Sequence, residues 1–245
     1  MRRERLKLAV LSSGRILDRL SLPVTDPSSL VISPLLQARY GAFDADSLDL
    51  RLGAHFLLPQ VPPRPYFYPG SETSKLGYQR VHIPLGNYLV VPAHETVLGV
   101  TLEFIKLPFD VSGQILTKSS VARTFVVIET APWIHPGYRG CLTLEIANVS
   151  NTPLLLYPGR LVAQLVFFEV AGAKPEPKQS GTYLGPVYPE APVFRDPEHD
   201  LAMVGVSKAE FKRPQEKPRR TDRCLECWSK IVPPATECSF CKPLR

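Results

Sequence analysis

Proline sets the strongest limit on the fold of this chain, because 26 of its 245 residues are proline, roughly double the usual share. A proline ring removes a backbone donor and breaks helix interiors, so long helices are disfavoured. Between the prolines and glycines lie short segments with strand-like patterns, for example 47–53, 113–116, 140–147 and 161–168. Many short strands with regular turns predict a mainly β fold with few short helices, either an antiparallel barrel or a jelly roll.

Charge and composition divide the chain unevenly. Residues 203–245 hold ten Lys/Arg against five Asp/Glu, whereas residues 8–202 hold fifteen against seventeen. The main body is therefore not basic, and its charge gives no indication of nucleic-acid binding. From residue 171 the strand pattern gives way to proline-rich sequence. We expect one domain over 1–187, a proline-rich and basic linker over 188–223, and a small module over 224–245.

Four of the five cysteines form two C-x-x-C pairs ten residues apart, at Cys224, Cys227, Cys238 and Cys241. This spacing is typical of a zinc ribbon in which four thiolates surround one structural Zn²⁺. The alternative is a chance clustering of cysteines in the tail. The ribbon could dock a protein or a nucleic acid. No apolar run is long enough for a signal peptide or a membrane span, so we expect a cytoplasmic protein with no membrane partner.

One stretch carries residues suited to binding phosphate. Lys118, Ser119 and Ser120 place a cation and two hydroxyls in succession at the end of a predicted strand. Such a group can hold phosphate oxygens, with backbone N–H groups contributing further contacts. The alternative is an ordinary turn with a surface lysine.

Glu145 is the candidate acid–base residue. Alternation along 141–147 places Leu144 and Ile146 on one face of a strand, and Glu145 on the other face beside small residues. Partial burial would raise the pKa of this carboxyl and suit it to proton transfer. The alternative is an exposed glutamate on an edge strand.

Five motifs in chain order are similar to those of the dCTP deaminase family within the dUTPase superfamily. They are S-L-D-L-R-L-G at 47–53, K-S-S-V-A-R at 118–123, T-A-P-W-I-H-P-G-Y-R-G at 130–140, Glu145, and G-R-L-V-A-Q-L-V-F at 159–167. The resemblance covers roughly residues 11–187. It implies a dUTPase-like, distorted antiparallel β-barrel of the jelly-roll type. It also implies a homotrimer with active sites at subunit interfaces that converts dCTP to dUTP and ammonia.

The resemblance also implies roles for individual residues. Glu145 would shuttle protons, Ser119 and Arg123 would order the water and the glutamate, and Mg²⁺ would accompany the triphosphate. Zinc would take no part in catalysis. The implied substrate-binding residues are Lys118, Ser119, Ser120, Arg123, Ala131, Trp133, His135, Gln164 and Tyr183.

This chain departs from the family pattern at four positions. Lysine stands at Lys118 where most members have arginine, which keeps the charge but loses the bidentate fork. His135 replaces an aspartate, and Thr182 and Pro186 replace the lysine and glutamine of the closing segment. Two further functions therefore stay open. One is a bifunctional deaminase/dUTPase, a subgroup that shares Trp133, or an enzyme for a modified nucleotide. The other is a non-catalytic nucleotide sensor or scaffold with a docking tail.

Overall fold

The structure is a computed structural model that describes residues 9–35, 43–44, 46–60, 77–128, 131–171 and 185–192. The chain divides into two compact units. The first comprises Met1–Pro59 and Gln79–Glu190, and the second comprises Gln60–Tyr78 and Ala191–Arg245. Few of the described residues belong to the second unit, so the elements below are essentially those of the first.

The described residues form two helices, α1 (Ser13–Ser21) and α2 (Ser119–Ala122). The strands are β1 (Val31–Ser33), β2 (Phe43–Asp44), β3 (Ser47–Arg51), β4 (His55–Pro59), β5 (Tyr78–His82), β6 (Leu89–Val91), β7 (Thr96–Lys106), β8 (Val111–Thr117), β9 (Val126–Ile128), β10 (Trp133–Ile134), β11 (Arg139–Asn148), β12 (Leu154–Leu156) and β13 (Leu161–Glu169). The prediction of a mainly β fold with few short helices is thus confirmed.

The strands form two larger sheets and one ribbon. A six-stranded sheet has the order β5-β4-β7-β11-β9, with β1 also paired to β7. A five-stranded sheet has the order β10-β8-β13-β3-β2, and β12 pairs with β6. A single bridge between Leu52 and Thr101 links the two larger sheets. Among the described residues, the pairings leave the sheets open and do not close them into a barrel.

Alternation of side chains builds one shared core from both larger sheets. Leu50 of β3 and Leu165 of β13 are fully buried from one sheet, and Leu144 and Ile146 of β11 are fully buried from the other. Burying such a side chain stabilises the fold by about 1.5–3 kcal/mol. The positions between them, such as Gln164 and Glu145, face away from this core, and this is where the candidate site residues lie.

The N-terminal helix contributes to the core. Helix α1 begins after Ser12 and buries Ile16. No helix in the described part of the chain is long and apolar enough to cross a membrane.

Candidate functional site

The K-S-S-V-A-R segment forms a single helical turn at the end of β8. The backbone N–H of Lys118 donates to Val162 O on β13 (3.1 Å), and Lys118 O accepts from the N–H groups of Val121 (2.8 Å) and Ala122 (2.9 Å). The turn leaves Ser119, Ser120 and Arg123 exposed. The sequence prediction that these groups follow a strand end is therefore confirmed.

Lys118 makes a partly buried ion pair and is not a free surface lysine. Its Nζ lies 2.5 Å from Asp49 Oδ2, and the two side chains are 23% and 22% exposed. Asp49 lies on β3, directly opposite Gln164 of β13. Because β13 lies between β8 and β3, the Lys118 side chain must reach across the Gln164 strand to contact Asp49.

Several candidate binding residues share the outer face of the five-stranded sheet, which is the face turned away from the core. Trp133 is opposite Gln114, and Leu116 is opposite Gln164. Directly opposite residues of antiparallel strands point to the same face. The Trp133 ring is 45% exposed and lies 5.6 Å from the ring of Phe168. Trp133, Gln164 and the Lys118–Asp49 pair thus lie on one mixed polar and aromatic surface.

His135 begins a tight turn that leads from β10 into β11. Tyr138 N donates to His135 O (3.2 Å), and Gly137 has a φ of +78°. A side chain at Gly137 would collide with the ring of Phe109, so both conformation and space favour glycine here. Ala131 and His135, at the two ends of β10, are exposed.

Glu145 lies on β11, immediately before the residues of that strand that pair with β9. It is opposite Leu98 of β7, and its side chain is half-buried on the face away from the core. On that same face Cys141 and Ala147 are only 5% and 6% exposed. The alternative of an exposed glutamate is therefore wrong, and the expected mixture of partial burial and small neighbours is present. The raised pKa of Glu145 stays a prediction.

Strand β9 contacts both the strand that leads into the helical turn and the glutamate strand. Ile128 N of β9 donates to Thr117 Oγ1 at the end of β8 (2.9 Å), and Ile128 is opposite Ile146 of β11. β9 therefore connects the end of β8 to the part of β11 that follows Glu145.

The segment 185–192 runs beside the start of β11. Gly185 N donates to Arg139 O (2.7 Å), and Cys141 N donates to Pro186 O (2.7 Å). Further along, Glu190 N donates to Thr143 Oγ1 (3.2 Å), two residues before Glu145. Pro186 is thus buried as part of this docking contact. The predicted residues Tyr183 and Thr182 lie outside the described residues, as do Cys224, Cys227, Cys238 and Cys241.

A second ion pair on β3 is almost completely buried. Arg51 Nη1 lies 3.3 Å from Glu103 Oε1, and Arg51 N donates to Glu103 Oε2 (2.9 Å). Burial raises the pKa of Glu103, although the contacts with Arg51 oppose this shift. Burial, and then the charge of Glu103, raises the pKa of the nearby Cys141 thiol. This pair links the two larger sheets and contacts none of the predicted site residues within the described part of the chain.

Sequence reasoning missed Asp49 as the partner of Lys118. The signal was present, because Asp49 belongs to the S-L-D-L-R-L-G motif, but the contact joins residues 69 positions apart. Only the strand order brings the two together. The aromatic group of His55, His82 and Tyr188 was also missed.

This chain is similar to the proteins of one known family. Residues 10–170 match the dCTP deaminase-like family. The chain is 32% identical over 191 residues to a protein of Methanobrevibacter smithii named dCTP deaminase, dUMP-forming, covering 75% of this chain and 94% of that protein. It is 34% identical over 171 residues to a dCTP deaminase of Halorubrum lacusprofundi, covering 69% and 81%.

A solved structure supports the fold. The crystal structure of 2'-deoxycytidine 5'-triphosphate deaminase from Agrobacterium tumefaciens superposes with a TM-score of 0.51 at 24% identity. The superposition covers 66% of this chain and 48% of that chain. At this level of identity the likeness concerns the fold alone.

Proposed function

This chain belongs to the dCTP deaminase-like family, and we propose on that basis that it hydrolyses the C4 amine of dCTP. The products are dUTP and ammonia, and the only co-reactant is one water molecule. The observation that carries the proposal is the position of Glu145, half-buried in the middle of β11 on the face away from the core.

Glu145 is the proton carrier in this proposal. Its carboxylate takes a proton from the water that attacks C4, and it then delivers a proton to the leaving amine. The surroundings support this role, because Cys141 and Ala147 on the same face are buried and small. A carboxyl in such a place is partly desolvated, which raises its pKa toward the range useful for both steps.

The phosphate groups are assigned to the helical turn. Lys118 and Ser120 contact the triphosphate, which arrives as its Mg²⁺ complex, and the exposed hydroxyls of α2 support this assignment. The base and sugar are assigned to Ala131, Trp133, His135, Gln164 and Tyr183. Exposure of Trp133 on the outer face leaves its ring open to a planar partner.

We further propose that the active form is a homotrimer whose sites lie between subunits. Ser119 and Arg123 would then order the water and the glutamate of a neighbouring copy. Two features support a shared site. The turn of α2 leaves Ser119 and Arg123 exposed, and the outer face of the five-stranded sheet exposes large apolar groups such as Trp133 and Leu116.

A second candidate function is formation of dUMP by the same protein. The name of the Methanobrevibacter smithii relative favours it. His135 stands where the family has an aspartate, which in dUTPases and bifunctional enzymes activates water for pyrophosphate release, and its replacement counts against this function. A neutral imidazole can accept a proton in that role. Detection of dUMP and pyrophosphate from dCTP would distinguish this function from simple deamination.

For the tail, we propose a Cys₄ zinc ribbon over 224–245 that follows a linker over 188–223. The C-x-x-C spacing supports it, and a closed thiolate set would make the zinc structural. Zinc content of the purified chain tests the proposal. One zinc per chain is expected, and it should be lost in Cys224→Ser with Cys227→Ser. The main domain, for which we propose the barrel of its family, should keep its oligomeric state in that variant.

The central test is Glu145→Gln, with Glu95→Gln as the matched control because Glu95 is exposed in the turn before β7. Ammonia release from dCTP should fall by about 10²–10⁴-fold in Glu145→Gln, the usual contribution of acid–base catalysis. Binding of dCTP should persist, and Glu95→Gln should match the unchanged protein. Normal deamination by Glu145→Gln would remove Glu145 from the mechanism. Binding without turnover in every form would favour a nucleotide sensor.

A further inference from the structure

A groove on the first unit is lined by none of the proposed nucleotide contacts. It is bounded by β4, by β5 and by residues 188–189, and it has a volume of about 390 Å³ including its open mouth. Its polar lining consists of His55, Arg80, His82 and Tyr188, and the remaining lining is apolar. Among the described residues, no acidic side chain lines it.

The rings in this groove are in contact. The His55 and His82 rings have centroids 4.7 Å apart with an interplanar angle of 34°. The Tyr188 ring meets His55 edge-on, also with 4.7 Å between centroids. His55 is half-buried, whereas His82 and Arg80 are exposed. Two imidazoles, one guanidinium and one phenol therefore converge on one concave surface.

The polar side chains that line the groove are basic or neutral. The titratable or charged groups that line the groove are His55 on β4, Arg80 and His82 on β5, and Tyr188 on the C-terminal segment, whereas Tyr78 at the start of β5 does not line it. Burial, and then the charges of Cys141 and Glu190, raise the pKa of Tyr138. Burial, and then the charge of His82, lowers the pKa of His55. Protonation of both imidazoles is therefore unfavourable unless an anion compensates it.

We propose that this groove is a binding site for an oxyanion of the phosphate class. Arg80 supplies a permanent positive charge and a planar donor fork. His55 and His82 supply ring N–H donors once they are protonated, and the Tyr188 hydroxyl supplies a neutral donor. The volume admits a bare ion or the phosphate of an ester. This proposal is independent of the deaminase function.

The test is a titration of the full chain with sulfate, observed through the ring protons of its five histidines by NMR. Sulfate keeps one charge state across the range, so pH acts only on the protein. The signals of His55 and His82, assigned with His55→Gln and His82→Gln, should shift saturably. Binding should tighten as the pH is lowered from 8 to 6, because a bound anion favours the protonated form of the imidazoles that contact it. His94, bonded to Asn151 at 3.0 Å, is the internal control and should not shift.

Two arginine variants and titrations with two phosphate compounds complete the test. Arg80→Gln should weaken sulfate binding at the groove, whereas Arg160→Gln, an exposed arginine that does not line it, should leave binding unchanged. Parallel titrations with inorganic phosphate and phenyl phosphate distinguish a free ion from a phosphate ester. Shifts that do not saturate, that do not depend on pH, or that match those of His94 would overturn the proposal. Unchanged binding in Arg80→Gln would overturn it as well.

Discussion

Two ion pairs on the same strand differ in burial and in what they hold together. Arg51 and Asp49 are two residues apart on β3. The Arg51–Glu103 pair is 16% and 2% exposed, and Glu103 also accepts from the Arg51 backbone. The Lys118–Asp49 pair is 23% and 22% exposed, and it joins β3 to the turn of the K-S-S-V-A-R motif. The first pair links the sheets, whereas the second lies where we propose that phosphates bind.

The difference in burial has energetic consequences. Removing one partner of a buried pair leaves an uncompensated charge, which costs about 3–5 kcal/mol. Lys118 can instead exchange its carboxylate partner for a phosphate oxygen, because its flexible stem carries a compact ammonium near the surface. The first pair should therefore control stability and the second should control nucleotide affinity.

The largest expected effect comes from breaking the buried pair. Glu103→Ala should lower the free energy of unfolding by about 3–5 kcal/mol, because Arg51 is left buried without its partner. Urea denaturation followed by circular dichroism measures this change. A loss below about 1 kcal/mol would mean that this pair stabilises the fold no more than an exposed ion pair does.

Removing the lysine of the Lys118–Asp49 pair should affect dCTP binding more than it affects stability. Lys118→Met should raise the KM for dCTP about tenfold, equivalent to about 1.4 kcal/mol, with little change in kcat. The unfolding free energy should change by about 1 kcal/mol or less. Lys7→Met, outside the proposed site motifs, is the control. A stability loss as large as that of Glu103→Ala would erase the contrast between the pairs.

Removing the carboxylate of the Lys118–Asp49 pair should change the KM for dCTP by less, and in the opposite direction. Asp49→Asn removes the carboxylate that competes with the phosphates for Lys118. The KM for dCTP should therefore fall by about twofold to threefold, or about 0.5 kcal/mol. In the Lys118→Met background the same substitution should have no effect on KM. A rise in KM for Asp49→Asn alone would show that Asp49 acts mainly by holding Lys118 in position.

A further expected effect is a pH dependence confined to the buried pair. The folded pKa of Glu103 lies above its ordinary value of 4.5, so the folded state holds this proton more tightly than the unfolded state. Stability relative to Glu103→Gln should therefore fall as the pH rises from 4.5 through the raised pKa, by less than about 1.4 kcal/mol per pH unit. Urea midpoints at successive pH values measure it. A difference that grows with pH would contradict this sign.

Local patterns predicted much of this fold, and non-local contacts explain what was missed. Alternation predicted β3 and the parts of β11 and β13 in which buried and half-buried residues alternate, at 142–146 and 163–167. Strand β4 was missed because Phe56 and Leu57 are both buried, so its burial does not alternate. Strand β10 is two residues long and carries too little pattern to detect.

In the candidate site, too, local patterns predicted some features, and others depend on non-local contacts. The partial burial of Glu145 followed from its neighbours along one strand, and the position of α2 followed from the end of β8. The Lys118–Asp49 contact depends on the order β8-β13-β3 within the sheet. The docking of Pro186 on Cys141 N depends on a segment that returns to β11 after leaving the sheet. Neither is encoded in local periodicity.

The most direct test of the proposed function is to incubate the purified chain with dCTP and Mg²⁺ and to separate the products by chromatography. The predicted result is loss of dCTP with formation of dUTP and one equivalent of ammonia, or of dUMP and pyrophosphate if the second activity is present. Recovery of unchanged dCTP, while equilibrium dialysis shows that the nucleotide is bound, would contradict catalysis by Glu145 and would identify the chain as a nucleotide-binding protein.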